Sequence, residues 1–378
     1  MVAPTPEEGL TANIVDVGAG DEAAFAKAGP ATNGAIVLVH SEILQTDEQL
    51  FGEYLAAPGI IARAINSGAV AIFWMSSRPG LLLYRHSSGF DGRPELLPQA
   101  TVAREDAGRI ARFLAARQQV RVKFDMPNKL SGPVESENVV AEIRGRELPD
   151  EFVLLGAHLD SWDLGTGALD NGCNAAMVID AARVIKSSGT RPRRSIRFVL
   201  FTGEEQGMLG SWAYARAHRD ELDHMDAAIV FDDGIGRVTG YSLGGRGDIL
   251  TAVKDALAPA ASLGAGDHTT DAFIGTDNFD FLLEGVPTLV ANQEPANYML
   301  NYHAASDTFD KVDIAELKRH VALAALTAFG IADRPERLGP RQSRSEIEAL
   351  LKETHLEDQM KILGIWPLWE NSSRGREK

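Results

Sequence analysis

The fold is decided by one apolar run that ends in a histidine and an aspartate: Phe152-Val153-Leu154-Leu155-Gly156-Ala157-His158-Leu159-Asp160. An uninterrupted apolar run of this length is typical of a strand that is buried on both faces, as in the parallel sheets of α/β proteins. Open α/β sheets bind their ligands at the edge formed by the carboxyl ends of the strands. The two polar residues that end this strand are therefore candidate functional residues.

Similar strands alternate with helices along the rest of this part of the chain. We predict strands at residues 138–143, 196–201 and 227–231, and a helix at residues 174–186 with one apolar face. This alternation predicts an α/β domain whose mixed, largely parallel central sheet is covered by helices on both faces.

The chain divides near residue 130, and this division predicts three segments. Residues 1–130 form a smaller, β-rich α+β domain, in which Thr101 is predicted to cap a helix that runs to Arg117. Residues 131–333 form the larger α/β domain. Residues 334–378 are rich in charge and are expected to be a peripheral extension. The isolated histidines of the first segment, His40 and His86, are expected to be structural or surface residues.

Composition restricts the classes of function. The chain has 378 residues with 37 Lys+Arg against 53 Asp+Glu, a formal net charge of −16. An excess of acidic groups disfavours binding to nucleic acid phosphates and to anionic membranes. The single cysteine, Cys173, excludes an intrachain disulfide and a structural zinc site built from thiolates.

We also expect no membrane span and no signal peptide in this sequence. The longest nearly uncharged apolar stretch, residues 321–332, is shorter than the roughly 20 residues that cross a bilayer. It predicts a packed helix, with Asp313 and Glu316 resembling a capping pair at its start. The first residues lack the basic and apolar regions of a signal peptide, so the location of the protein stays open.

Carboxylates and histidines collect where the apolar strands end. Singly they have ordinary explanations, such as a turn or a helix-dipole partner. Together at one edge of a sheet, so many carboxylates would repel one another and would require a cation. Histidine among carboxylates favours zinc, or cobalt or manganese, over calcium or magnesium. The residues are His158, Asp160, Asp170, Glu204, Glu205, Asp232, Asp233, His303 and Asp307.

Other chemistries have weaker signals. The sequence contains no Gly-x-Ser-x-Gly nucleophile motif. Cys173 stands at a predicted helix start, where a thiol pKa can be lowered, but a small buried cysteine that packs there is the favoured interpretation. Gly234-x-Gly236 lacks the third glycine of a dinucleotide-binding loop. His268 has no carboxylate companion at a strand end and is expected to be a surface or supporting residue.

The strand-end motifs as a set resemble the co-catalytic zinc exopeptidases, a family that includes bacterial aminopeptidases, carboxypeptidase Q and glutamate carboxypeptidase II. The resemblance covers about residues 136–330. It rests on Gly156 to Ser161, Asp170-Asn171-Gly172, Thr202-Gly203-Glu204-Glu205, Asp232, and His303-x-x-x-Asp307-Thr308.

The resemblance implies a centre with two divalent metal ions, zinc in the first place and cobalt or manganese as alternatives. Asp170 would bridge the two ions. Glu205 and His303 would complete the ligands of one ion, and His158 and Asp232 those of the other.

It also implies roles for the neighbouring carboxylates. Glu204 would be the general base, and Asp160 would orient the histidine ligand of its own strand. Asp232 is preferred to Asp233 because the ligand in this family lies two residues before a glycine, here Gly234.

Residues 34–125 are similar to the protease-associated domain, notably at residues 62–71 and 97–102. Relatives carry this domain inserted into the catalytic domain, after an N-terminal segment that contributes helices and often a signal peptide for export. Here the chain begins almost at the insertion. Either the start lies further upstream or this layer is missing.

The function implied is metal-dependent hydrolysis of peptide bonds by an aminopeptidase or dipeptidase, with a peptide or dipeptide as substrate and a homodimer as an open option. A glutaminyl-cyclase-like transferase with one zinc ion and a non-catalytic receptor are the alternatives, although receptor-type relatives have lost metal ligands. A carboxypeptidase needs a basic group for the substrate carboxylate, and Arg237 and Arg246 are available by position only.

Overall fold

The computed structural model describes residues 3–84, 89–90, 93 and 95–377, so His86 lies outside the described residues. The chain forms two compact units, residues 1–135 with 299–306, and residues 136–298 with 307–378. The first change of unit falls just after the loop that we predicted as the boundary. No helix in the described ranges is long and apolar enough to cross a membrane.

The first unit is built on a five-stranded sheet in the order β4-β3-β2-β1-β5. Strands β1 to β4 are parallel neighbours, and β5 pairs antiparallel with β1. Because helices connect most of the parallel strands, this unit is α/β as well, instead of the α+β arrangement expected. Its elements are β1 Leu10–Asp16, α1 Glu22–Ala28, β2 Ile36–Val39, α2 Asp47–Asn66, β3 Ala71–Met75, β4 Gln99–Val102, α3 Arg104–Ala115 and β5 Arg121–Phe124.

Two details of the first unit differ from the prediction. Thr101 does not cap α3 but lies in β4, where it pairs with Trp74 of β3, and Ala103 precedes the helix. Residues 299–306, more than 160 positions from the rest of the unit, belong to it because Met299 and Tyr302 pack with Leu50 and Tyr54 of α2.

The second unit contains a six-stranded sheet in the order β10-β11-β9-β7-β8-β6. Strands β11, β9, β7 and β8 are parallel, while β10 and β6 are antiparallel edge strands. This confirms the mixed, largely parallel sheet. The strands are β6 Val139–Ile143, β7 Leu148–His158, β8 Arg194–Phe201, β9 Met225–Val230, β10 Val238–Ser242 and β11 Thr288–Gln293.

Helices cover both faces of this sheet. Successive residues of a strand point to opposite faces, so each buried strand contributes side chains to both layers of packing. On one face, Val153 and Leu155 of β7 pack against α4, α6 and α9. On the other, Phe152 and Leu154 pack against α5 and α7. The helices of this unit are α4 Cys173–Ser187, α5 Leu209–Ala217, α6 Leu250–Leu257, α7 Asn278–Leu283, α9 Ile314–Asp333, α10 Arg344–Glu353, α11 Leu356–Ile362 and α12 Trp366–Glu370. The short helix α8 Tyr298–Asn301 lies at the start of the segment that belongs to the first unit.

The segment 334–378 is not the peripheral extension that its charge suggested. It forms α10, α11 and α12 and belongs to the second unit. Ile347 and Leu351 of α10 lie one helical turn apart and are buried, as are Met360 of α11 and Trp369 of α12, while most of the charged residues between them are exposed. Charge content alone had concealed this apolar face.

Candidate metal centre

His158 ends β7 with its imidazole ring held on both sides. The Nδ1 atom lies 2.9 Å from the main-chain oxygen of Asp160. The Nε2 atom lies 2.9 Å from Oδ1 of Asp232 and 3.1 Å from Oδ1 of Asp170. Since a carbonyl oxygen only accepts, Nδ1 donates to it, and Nε2 is the ring nitrogen that faces the two carboxylates.

These three side chains form a buried group of metal-ligating atoms. One ligand atom from each of His158, Asp170 and Asp232 lies within 4.8 Å of the others. Their exposed fractions are 1%, 4% and 7%, respectively. Asp233, the alternative to Asp232, is exposed. The geometry therefore brings Asp232 to the centre and leaves its neighbour outside.

The loop that carries Asp170 is anchored by hydrogen bonds to a second aspartate, Asp307. The carboxylate of Asp307 accepts the N–H groups of Leu169, at 2.7 Å, and of Asp170, at 3.1 Å. The side-chain amide of Asn171 donates to the main-chain oxygen of Phe231, at 3.0 Å, just before Asp232. The positions of Asp170 and Asp232 are thus linked through the side chain of Asn171.

The end of β8 delivers Glu204 and Glu205 to the same edge. Their N–H groups donate to the two carboxylate oxygens of Asp160, at 3.1 and 3.2 Å. Glu205 is buried, with one oxygen within 4.8 Å of an oxygen of Asp170, and Glu204 is half-buried. Asp170 therefore stands between His158 on one side and Glu205 on the other.

The role expected of Asp160 needs a correction. Its carboxylate oxygen lies 3.8 Å from Nδ1 of His158, too far for a hydrogen bond, and the main-chain oxygen of the same residue makes that bond instead. The carboxylate instead accepts the N–H groups of Glu204 and Glu205. Asp160 thus orients both the histidine and the loop, by different groups.

The electrostatics of the centre call for a cation. Burial by itself would lower the pKa of His158, but the facing charges of Asp232 and Asp170 outweigh it and hold that pKa well above its ordinary value. Burial raises the pKa of Glu204 well above its ordinary value, and the neighbouring charges of Asp232 and Glu205 act in the same direction. An imidazole nitrogen among carboxylate oxygens is a donor set that fits zinc.

One buried acid near the centre was missed by the sequence analysis. Asp277 is fully buried at the start of α7, and burial raises its pKa to about 8 against the opposing charge of His158. Its only signal was its place before a short apolar segment, which also describes an ordinary helix start.

His303 lies in the segment 299–306 of the first unit. Its side chain is buried, and its ring stacks on Tyr302 with centroids 3.6 Å apart. Its backbone has a φ of 53°, which is uncommon for a residue other than glycine and typical of a tight turn.

Several other candidates have structural roles. Cys173 is buried, its Sγ lies 3.3 Å from the main-chain oxygen of Leu169, and burial raises the pKa of the thiol to about 12, so it packs as expected. His268 accepts the N–H of Tyr241 and stacks on its ring. Arg246 makes a two-pronged contact with Asp248. Arg237 pairs with Glu294 at the surface.

Comparison with known proteins gives consistent findings. Residues 138–328 match the model of peptidase family M28. Carboxypeptidase Q of Bos taurus is 31% identical over 345 residues, which cover 88% of this chain and 70% of that protein. The structure of a peptidase M28 precursor from Shewanella amazonensis SB2B has a TM-score of 0.79 at 29% identity and covers 90% of this chain and 78% of its own. A zinc aminopeptidase from Bacillus subtilis has the same fold, with a TM-score of 0.67 at 20% identity over 91% of this chain and 80% of its own.

The hydrogen bonds from Leu169 and Asp170 to Asp307 predict an effect of Asp307 on metal binding. Asp307→Asn replaces one accepting oxygen by an NH₂ group that faces an N–H donor, so the loop loses a charge-assisted bond. We expect zinc affinity, measured by competition with a chromophoric chelator, to fall about 10–100-fold, as for other residues that support metal ligands. Asp310→Asn, an exposed neighbour, is the matched control. Equal affinity of the two variants would contradict the anchoring role.

Proposed function

The chain belongs to peptidase family M28, and from this we propose that the cluster at the ends of β7, β8 and β9 is the centre at which peptide bonds are hydrolysed. The chain is a metal-dependent exopeptidase. The observation that carries the proposal is the buried group of His158, Asp170 and Asp232, with Glu205 beside Asp170. These residues lie at the end of three parallel strands and in the loop that follows the first of them.

We propose that this centre holds two zinc ions. His158 and Asp232 would hold one, Glu205 and His303 the other, and Asp170 would be shared, which its position between His158 and Glu205 supports. Cobalt and manganese suit the same donors and remain alternatives. When bound, the ions supply the Lewis acidity that lowers the pKa of a water from 15.7 to about 7 and polarises the scissile carbonyl.

Chain connectivity supports the assignment of His303. Asp307 is fixed to the N–H groups of Leu169 and Asp170. His303 precedes Asp307 by four residues, so an extended chain carries it at most about 14 Å from that anchor. The proposed second ion would otherwise have only the carboxylates of Asp170 and Glu205 as donors, and a histidine on this short tether would add the imidazole that zinc favours.

Glu204 is the proposed general base. It follows β8 directly, it is half-buried, and its main chain is fixed through the bond from its N–H to Asp160. Its carboxylate takes the proton of the attacking water and passes it to the leaving amine of the substrate.

The substrate that we propose is a peptide with an unblocked N-terminus, as for an aminopeptidase or dipeptidase. The acidic residues of the centre favour a substrate ammonium group over a carboxylate. A carboxypeptidase needs a basic group for the substrate carboxylate, but the two arginines available by position form ion pairs within the protein, Arg246 with Asp248 and Arg237 with Glu294.

For the first segment, residues 1–130, we retain the proposal of a protease-associated domain. It rests on the sequence similarity at residues 62–71 and 97–102. Residues 131–333 would form the catalytic domain with its extension 334–378 built into it.

The reaction class and its base are tested together. The protein is assayed on aminoacyl-anilides, dipeptides and N-blocked peptides, with a chelator and then with added zinc or cobalt. We expect hydrolysis of unblocked substrates that the chelator abolishes and metal restores. Glu204→Gln keeps the shape of the side chain but cannot take a proton, so turnover falls by about 10²–10⁴-fold with metal still bound. Turnover equal to wild type in this variant would remove Glu204 from the mechanism.

The choice of ligand on β9 is tested by metal content. Asp232→Asn replaces a buried anionic donor by a neutral amide, so we expect the zinc content after dialysis to fall by one ion per chain. Asp233→Asn changes the exposed neighbour and is the matched control, with wild-type content expected. Loss of metal in the Asp233 variant alone would reverse the assignment.

A further inference from the structure

A buried arginine of the C-terminal segment reaches the loop that carries the two glutamates. Arg374 and Asp280 of α7 have 0% and 1% of their surface exposed. Two parallel bonds join them, from Nε to Oδ1 at 2.7 Å and from Nη2 to Oδ2 at 2.9 Å. Nη2 also donates to the main-chain oxygen of Gly207, at 3.2 Å.

Gly207 closes the turn behind Glu204. The N–H groups of Gly207 and Met208 both donate to the main-chain oxygen of Glu204, each at 2.8 Å. Gly207 has a φ of 115° and Met208 a φ of 59°, so the turn uses left-handed backbone at two successive residues. The peptide group between Gly207 and Met208 therefore accepts a hydrogen bond from Arg374 at its oxygen and donates one to the main-chain oxygen of Glu204 at its N–H.

The same arginine ties this turn to two helices. The hydroxyl of Ser211, in α5, lies 2.9 Å from Oδ2 of Asp280 and 3.1 Å from the main-chain oxygen of Met208. Asp280 in turn stands three residues after the buried Asp277, at the start of α7. Arg374 thus sits where the glutamate loop, α5 and α7 meet.

The segment around Arg374 is itself fixed. The indole N–H of Trp212, in α5, donates to the main-chain oxygen of Ser373 at 2.9 Å, and the guanidinium lies 5.0 Å from the centre of the Trp212 ring. The N–H of Arg376 donates to the main-chain oxygen of Leu283 at 2.9 Å. The residues on both sides of Arg374 are therefore bound to α5 and α7, which fixes the position of the arginine.

We propose that Arg374 is a positioning residue for the general base, an inference that rests on the proposed role of Glu204. A planar guanidinium satisfies Asp280 with two bonds and still donates to Gly207, which a lysine ammonium cannot reproduce with the same geometry. With Arg374 in place, the turn has one main-chain conformation. The main chain of Glu204 is then fixed, and its carboxylate is held in the orientation that faces the substrate.

The experiment compares two equally buried arginines of the full-length protein. In Arg374→Lys we expect kcat to fall about 10–100-fold, the cost of a small misplacement of a catalytic group, with KM and zinc content unchanged. Arg194→Lys is the matched control, because Arg194 is 2% exposed and pairs with Glu151 at the opposite end of β8. This control loses thermal stability and keeps kcat.

Each outcome decides the inference. Wild-type kcat in folded Arg374→Lys overturns it, and so does an equal loss of kcat in both arginine variants, which would reveal a general effect of stability. If Arg374→Lys does not fold, Trp212→Phe serves instead, since it keeps a six-membered aromatic ring and removes the N–H that binds Ser373, together with the smaller ring of the indole. A lowered kcat with unchanged KM supports the inference, and wild-type kcat overturns it. Inactive wild-type protein on every substrate would instead contradict the proposed function.

Discussion

The centre depends on one electrostatic constraint, the burial of several carboxylates close to the imidazole of His158. Asp170 and Asp232 both approach Nε2 of His158, and Glu205 lies beside Asp170. Two like unit charges 4 Å apart repel by about 4 kcal/mol at an effective dielectric constant of 20. A divalent ion turns this repulsion into attraction, which explains why the chain gathers these groups where water is scarce.

The buried carboxylates and the imidazole are held in place by hydrogen bonds to main-chain groups as well as by contacts between side chains. Asp160 uses its carbonyl oxygen to orient His158 and its carboxylate to hold the N–H groups of Glu204 and Glu205, so one residue couples the ends of β7 and β8. Asp307 does the same for the loop of Asp170. Ligands that are held in this way need little reorganisation when a metal ion or a substrate binds.

Much of this arrangement was predictable from sequence, because buried parallel strands are readable as apolar runs and their ends mark the site. His158 and Asp232 lie close together at the ends of β7 and β9, where the apolar runs placed them. Residues that act through the main chain or across long separations were not. The carbonyl of Asp160 has no sequence signature, and Arg374 meets Asp280 from 94 positions away, in a segment whose charges suggested solvent exposure. Strands β10 and β11 were also missed, since their short runs follow no regular alternation.

The most direct measurement of the central claim is anomalous X-ray diffraction from crystals grown with zinc, recorded above and below the zinc absorption edge. The account predicts two anomalous peaks that share Asp170, one of them about 2.0–2.2 Å from Nε2 of His158 and from a carboxylate oxygen of Asp232. An empty cluster in fully active crystals, or zinc bound only elsewhere on the chain, would contradict it.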